Sequence, residues 1–258
     1  MRIVSLNCSN TEIVCALGCA KHLVGVDSDS DYPASVVSRL PRVGRDLEID
    51  IEKVQALRPD VVLASLTVPG HEKIVAALER AGLDYLAPEP VSLEDVYRDI
   101  RAIGGKLDAE TQAQRVVGAM RERIKPDRDH HGPGPSIVVQ WWPKPVIAPG
   151  QLSWVNDLLQ AAGARNPLAG RPVKSLPISD GEVAELDPDA MVIAWCGVAP
   201  AKYRADVIYR KAAWQDLRAV QRRQVYPVPE AYLGRPGPRL VQGCHALSAI
   251  AARLRATR

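Results

Sequence analysis

Residues 54–65 read VQALRPDVVLAS, and residues 183–194 read VAELDPDAMVIA. Val, Leu, Pro and Asp stand at equivalent places: Val54 and Val183, Leu57 and Leu186, Pro59 and Pro188, Asp60 and Asp189. Each stretch passes from a short helical pattern through a Pro-Asp turn into an apolar run of strand length. The chain therefore reads as two similar halves. A fold of two like α/β lobes has a cleft between them, and ligands prefer lobe interfaces and the carboxyl ends of parallel strands.

Working outward, strands are predicted at residues 2–6, 23–26, 61–64 and 85–87. Between them fall helices at 11–17, at 51–57 with Asp50 as cap, and at 71–80 closed by Gly82. Alternation at this pace implies βαβ units and a mainly parallel sheet. Ser92 and Asp95 open a helix through Ile103 that Gly104 and Gly105 break, and Asp108 caps another from 109 to about 125. At 1.5 Å per residue the latter is a rod of about 25 Å, a connector between lobes. Residues 126–135, PDRDHHGPGP, form a loop. The second half repeats the plan, with strands at 136–141, 190–195 and 225–228. Its helices are at 154–162, at 179–186 behind a Ser179/Glu182 capping box, at 213–219 and at 238–254. The expected organisation is an N-terminal α/β lobe (1–107), a connecting helix (108–126) and a C-terminal α/β lobe (127–258).

The chain has 258 residues, 47% of them hydrophobic and 24% charged, enough for two lobes that each bury a core. No window approaches the roughly 18 apolar residues of a membrane span, so membrane insertion is not expected. The net charge of +3 and the lack of a dense basic stripe argue against nucleic acid. The five cysteines (Cys8, Cys15, Cys19, Cys196, Cys244) are odd in number and lack a CxxC pair, which fits a reducing compartment. RIVSL follows Met1 directly, without the charged and apolar regions of a leader. The expectation is a cytoplasmic protein, or a periplasmic or surface-anchored one if a leader has been removed.

No GxSxG elbow, Walker loop, GxGxxG or HExxH occurs. His130 and His131, beside Asp127 and Asp129, read as solvated loop residues, so neither a metal site nor a cofactor is expected. His71 opens a helix after a strand, on the side where ligands sit, and is the one ready candidate for a base. The stronger signal lies in the loops that follow strands. These are Asn7 and Cys8 in NCSNTE, with free helix-start N–H groups, and Tyr32 and Pro33 after the second strand. In the second half come Gln140, Trp141, Trp142 and Pro143, then Trp195 and Cys196, then Tyr232. Four aromatics at strand ends of one lobe suit a large flat ligand.

RIVSLNCSNTEIVCALG (2–18), SDSDYP (28–33), LRPDVVLAS (57–65), LDPDAMVIAW (186–195) and RPGPRLVQG (235–243) occur in this order across almost the whole chain. In these motifs it resembles the substrate-binding proteins of ABC importers for cobalamin and iron siderophores, the class III periplasmic binding proteins, closest to the cobalamin-binding branch. The resemblance implies two Rossmann-like lobes joined by a single long helix, a shallow cleft, no catalysis, and a complete monomer. It implies corrinoid contacts at Tyr32, Ser65, Leu66, Trp141, Trp142, Pro143, Trp195 and Tyr232. Docking onto an ABC permease implies a glutamate on each lobe. Glu72 matches the first; Gly234 stands at the second, with Glu230 the nearest acid.

Cys8, Cys196 and His71 are candidates for an axial ligand to cobalt. A ferric siderophore or haem carrier is the rival binding reading, served by the cations Arg45, Lys144, Lys202 and Arg235. The rival of another class is an enzyme of corrinoid or tetrapyrrole metabolism, with His71 as its base.

Overall fold

The computed structural model describes residues 1–126 and 133–257. The candidate metal group at Asp127, Asp129, His130 and His131 lies outside the described residues. The chain divides into two compact units. One is Met1–Pro90 with Asp95–Met120, and the other is Val91–Glu94 with Arg121–Arg258.

The first unit runs β1 (Ile3–Ser5), α1 (Cys8–Ala16), β2 (Leu23–Val26), α2 (Ala34–Val37), β3 (Gly44–Arg45), β4 (Glu48–Ile49), α3 (Ile51–Ala56), β5 (Val61–Leu63), α4 (His71–Arg80) and β6 (Tyr85–Leu86). Its four-stranded sheet has the order β2-β1-β5-β6, all pairs parallel. Two helices follow, α5 (Leu93–Lys106) and α6 (Glu110–Arg123). The division of the chain falls within both, so two long helices, α5 as well as the expected one, run between the units. The predicted break at Gly104 and Gly105 does not occur, since α5 continues to Lys106. Gly104 instead gives the close approach that α6 needs, because a Cβ there would lie 2.5 Å from that of Ala113.

The second unit runs β7 (Ile137–Gln140), β8 (Trp142–Pro143), β9 (Val146–Pro149), α7 (Trp154–Ala161), β10 (Ser175–Ile178), α8 (Asp180–Leu186), β11 (Ala190–Ile193), α9 (Asp206–Tyr209), α10 (Arg218–Gln221), β12 (Val225–Pro227), α11 (Glu230–Leu233) and α12 (Leu240–Ala256). Strands β12-β11-β7 form a parallel sheet. An antiparallel β10-β9-β8 sheet stands beside it, an element the sequence pattern did not announce. The helix expected at 213–219 is also different, a single turn at Ala212–Trp214 followed by α10.

The repeated Pro-Asp turn does the same work twice. Helix α3 leaves through Arg58 (φ 47°) and helix α8 through Asp187 (φ 35°), equivalent positions in the left-handed region. The next carboxylate then hooks the neighbouring strand. Asp60 accepts the Arg2 backbone N–H at 2.6 Å, and Asp189 accepts that of Ser136 at 2.8 Å. The backbone N–H of each Asp returns a bond to the same residue's carbonyl, 2.8 Å to Arg2 and 2.9 Å to Ser136. A guanidinium closes each helix exit: Arg2 donates to the Leu57 carbonyl, and Arg218 to the Asp187 carbonyl. These hooks set β5 against β1 and β11 against β7, and the apolar faces of the strands pack into a core in each unit.

The two hooks differ in surroundings. The Asp189 side chain is 6% exposed and also pairs with Arg218 at 2.8 Å, whereas that of Asp60 is 61% exposed. Asp189→Ala should therefore lower stability by about 2–3 kcal/mol, and Asp60→Ala by no more than about 1 kcal/mol, compared by urea unfolding of the two variants.

Candidate functional site

In the first unit the loops after β1, β2 and β5 are knitted by buried polar groups. Asn7 caps α1, its side chain accepting the Ser9 N–H at 3.0 Å, so α1 begins earlier than the predicted residue 11. Asn10 donates to the Ala64 carbonyl at 2.6 Å, tying the first loop to the end of β5. A chain of hydroxyls runs Ser5, Thr11, Ser30 (2.8 Å each) and ends on Asp27, which accepts from Ser30 at 2.5 Å. The Cys8 thiol donates to the other oxygen of Asp27 at 3.8 Å. Arg42 holds the second loop by its backbone, reaching the carbonyls of Asp27, Ser30 and Val37. With the loop anchored, Tyr32 stands outward, 48% exposed, on a cis bond to Pro33.

Ser65 is buried and bonded to Thr67 at 2.9 Å, and Leu66 is half-buried. His71 is buried with both ring nitrogens engaged. Nδ1 accepts the Val68 N–H at 3.4 Å, and Nε2 faces Asp46 at 2.9 Å. That arrangement makes it a latch between the start of α4 and the β3–β4 turn, and leaves no ring nitrogen for a metal or a substrate proton. The neighbouring Glu72 is exposed. Hydrogen bonds from its own N–H and that of Gly70 hold its carboxyl below the usual range.

In the second unit the carboxyl ends of β7, β11 and β12 are tied in the same manner. The Cys196 N–H donates to the Trp141 carbonyl at 3.0 Å. Trp195 turns into the core, 5% exposed, edge-on to Tyr203, with its indole N–H on the Gln140 Oε1 at 3.4 Å. Tyr203 donates to the Trp195 carbonyl and accepts the Glu230 N–H, each at 3.1 Å. Burial above all pushes its hydroxyl up to about 12. Trp142 points outward, 41% exposed, its indole N–H on the Lys144 carbonyl. Trp141 and Pro143 are half-buried and Cys196 is exposed. Tyr232 is half-buried beneath the Arg239 guanidinium.

Glu230 folds back onto Arg235 at 3.2 Å, over Gly234, where a Cβ would meet it at 2.8 Å. A recess of about 550 Å3 opens within this unit among Gln140, Pro143, Lys144, Asp180, Lys211 and Trp214. Lys211 and Trp214 lie in a stretch without a motif, and Asp27 and Tyr203 carry no sequence signal that separates them from ordinary polar residues. Among the described residues no group of three or more His, Cys, Asp or Glu is placed to hold a metal ion, and no helix is long and apolar enough to cross a membrane.

The family model described as periplasmic binding protein matches residues 3–232. The chain belongs to that family. It is a class III solute-binding protein, related to components of ABC transporters that bind cobalamin, haem and siderophores. An ABC transporter substrate-binding lipoprotein of Bacillus subtilis, YvrC, is 30% identical over 96% of this chain and 78% of its own length. The crystal structure of the periplasmic vitamin B12 binding protein of Vibrio cholerae is 25% identical, with a TM-score of 0.78 over 98% of this chain and 97% of the other. A periplasmic haem binding protein of Pseudomonas aeruginosa is 29% identical, with a TM-score of 0.80 over 97% and 92%.

Fold and family are those of non-catalytic binding proteins that take a small ligand in partnership with an ABC permease. The enzyme reading falls with them. The cytoplasmic expectation is also corrected, because the family and these relatives are periplasmic or lipid-anchored proteins. The odd cysteine count is therefore no guide to compartment here: Cys19 and Cys244 are buried, and burial above all raises the Cys15 thiol to about 11.

Two outcomes test the knitting of the loops. Tyr203→Phe removes one donor and one acceptor and should cost about 1–2 kcal/mol, with faster amide exchange at Glu230. Burial is the largest influence on Asp27 and raises its carboxyl above the ordinary value of 3.8. A raised folded value means stability is greatest below the unfolded pKa and declines as pH climbs through the folded one. Asp27→Asn should remove that decline, so urea unfolding of both proteins between acid and neutral pH should show the wild type gaining on the variant as pH falls.

Proposed function

We propose that the ligand is a corrinoid, cobalamin or a close relative, bound for import and delivered to an ABC permease. The observation that carries the reading is the outward placement of Tyr32 and Trp142, large aromatics that the fold leaves 48% and 41% exposed on the carboxyl-end loops. A macrocycle needs flat apolar faces, and the polar tips of Tyr and Trp suit its peripheral amides. The likeness to the vitamin B12 binding protein of Vibrio cholerae, over nearly the full length of both chains, supports it. Asn7, Cys8, Pro33, Ser65, Leu66, Trp141, Pro143, Cys196, Tyr232 and Arg235 belong to the loops that would frame such a ligand. Trp195 and His71 act beneath them, as supports. Haem is the second reading, on the strength of the 29% identity to the Pseudomonas protein.

For docking, Glu72 offers an exposed, ionised carboxylate at the start of α4. Glu230 is turned toward Arg235, so Glu72 is the acid we assign to the permease contact, and one copy of the chain carries the whole site.

Titration with cyanocobalamin and aquocobalamin, followed by calorimetry and the visible spectrum, should give saturable binding at about micromolar affinity or tighter. Tyr32→Ala and Trp142→Ala should each weaken it about tenfold or more. A cobalt spectrum that changes only with aquocobalamin and is lost in Cys8→Ala or Cys196→Ala would identify a protein thiolate on the metal. His71→Ala should leave that spectrum as it is. Absence of heat and of spectral change with both corrinoids, alongside binding of haem, would replace the corrinoid reading with the second one.

A further inference from the structure

Gln140, the last residue of β7, carries a donor that the protein does not use. It is 1% exposed, and Nε2 has no hydrogen-bond partner among the described residues. The orientation of the amide is decided by chemistry, because the indole N–H of Trp195 only donates and so must face Oε1. The amide nitrogen is the end left over. Backbone pairing holds the residue in place, with the Ala194 N–H on its carbonyl at 3.0 Å and its Cα in register with Ile193 of β11. A buried donor without an acceptor is costly, and such groups in native proteins call for a reason.

Gln140 is one of the residues that line the recess of about 550 Å3 described above. Apolar wall is supplied by Pro143, Val146, Ile178, Ile208 and Trp214, and charge by Lys144, Arg210 and Lys211 against a single carboxylate, Asp180. Lys211 is already committed, paired with Asp180 and lying over the Trp214 ring at 3.9 Å. Arg210 pairs with Asp206. Lys144 is exposed and makes no ion pair among the described residues. The recess thus has in its wall a residue with one buried, unused neutral donor, one uncommitted cation and an apolar lining, a combination that suits a negatively charged acceptor on a short aliphatic stem.

We propose that this recess is a subsite for a carboxylate-bearing arm of the ligand, with Gln140 Nε2 donating to a carboxylate oxygen and Lys144 supplying the opposite charge. The proposal deepens the corrinoid reading and rests on it for the identity of the macrocycle, while the carboxylate chemistry is shared by the acid forms of corrinoids and by haem propionates. An amide arm would satisfy Gln140 but would leave Lys144 without a counter-charge, so acid forms are preferred over amide or ester forms.

Two readouts separate the subsite from the macrocycle. In the first, the side-chain amide resonances of Gln140, assigned by their loss in Gln140→Leu, are followed during titration with propionate and with propionamide. A saturable shift with propionate, larger than with propionamide and weakened in Lys144→Ala, supports the subsite. No shift with either, or equal shifts with both, overturns it and leaves the recess to water. In the second, affinities are measured for cyanocobalamin, its monocarboxylic acids, haemin and haemin dimethyl ester.

The expected result is about tenfold tighter binding of the acid member of the accepted pair, reduced to the affinity of the neutral member in both Gln140→Leu and Lys144→Ala. Which pair binds tells corrinoid from haem. If no macrocycle binds but propionate still shifts Gln140, the corrinoid reading fails and the subsite stands. Equal binding of acid and neutral forms, without a propionate shift, overturns the subsite and leaves the corrinoid reading in place.

Discussion

A carboxylate after a proline, hooked onto the first backbone N–H of the neighbouring strand, is the contact on which each unit depends. Asp60 and Asp189 occupy equivalent places in the repeated motif and make it with Arg2 and Ser136. Parallel strands are joined by long crossovers and lack the tight hairpin that sets register in antiparallel pairs. The hook supplies what the hairpin would: it pins the entry of β5 against β1 and of β11 against β7, and the ladders then run on from a defined start. Once register is set, every side chain is assigned to its face, and the strands deliver their carboxyl ends to one edge of the sheet.

That edge carries the loops. Backbone groups there lie beyond the ladder and need partners of their own, and the protein supplies them from buried polar side chains. In the first unit the line from Ser5 through Thr11 and Ser30 to Asp27 joins the loops after β1 and β2, at the cost of keeping a carboxyl where burial disfavours its charge. In the second, the Tyr203 hydroxyl bridges the Trp195 carbonyl and the Glu230 N–H, and so joins the exits of β11 and β12. Rigid loops leave Tyr32 and Trp142 exposed at low entropic cost, since each side chain has few rotatable bonds. A binding protein benefits because surface ordered in advance need not be ordered by the ligand.

The strands, most helices, the Asp50 cap and the Ser179/Glu182 capping box were legible in the sequence because they rest on periodicity and on side-chain chemistry within a few residues. Boundaries failed where a tertiary contact overrides local preference. Gly104 and Gly105 read as a break, yet α5 runs through both; the glycine at 104 serves a close approach instead, since a side chain there would collide with Ala113. The β10-β9-β8 sheet escaped notice because all three of its strands are four residues or fewer and contain a proline, too short for an alternation to show.

By itself the sequence determined that there are two α/β halves, which loops follow their strands, and which family's motifs they carry, since all three are written in local patterns. Tertiary structure alone decided what each side chain in those loops does. Trp142 and Trp195 are equivalent in the sequence, each an aromatic after a strand. One is left outside by the β8–β9 turn, while the other is drawn into the core by Gln140 and Tyr203, residues 55 and 8 positions away. His71 likewise reads as a ready candidate for a base until Asp46, 25 residues upstream, is folded against it. The physical reason is the same in both cases: exposure and hydrogen-bond partners are properties of what the chain brings near, and no local pattern encodes them.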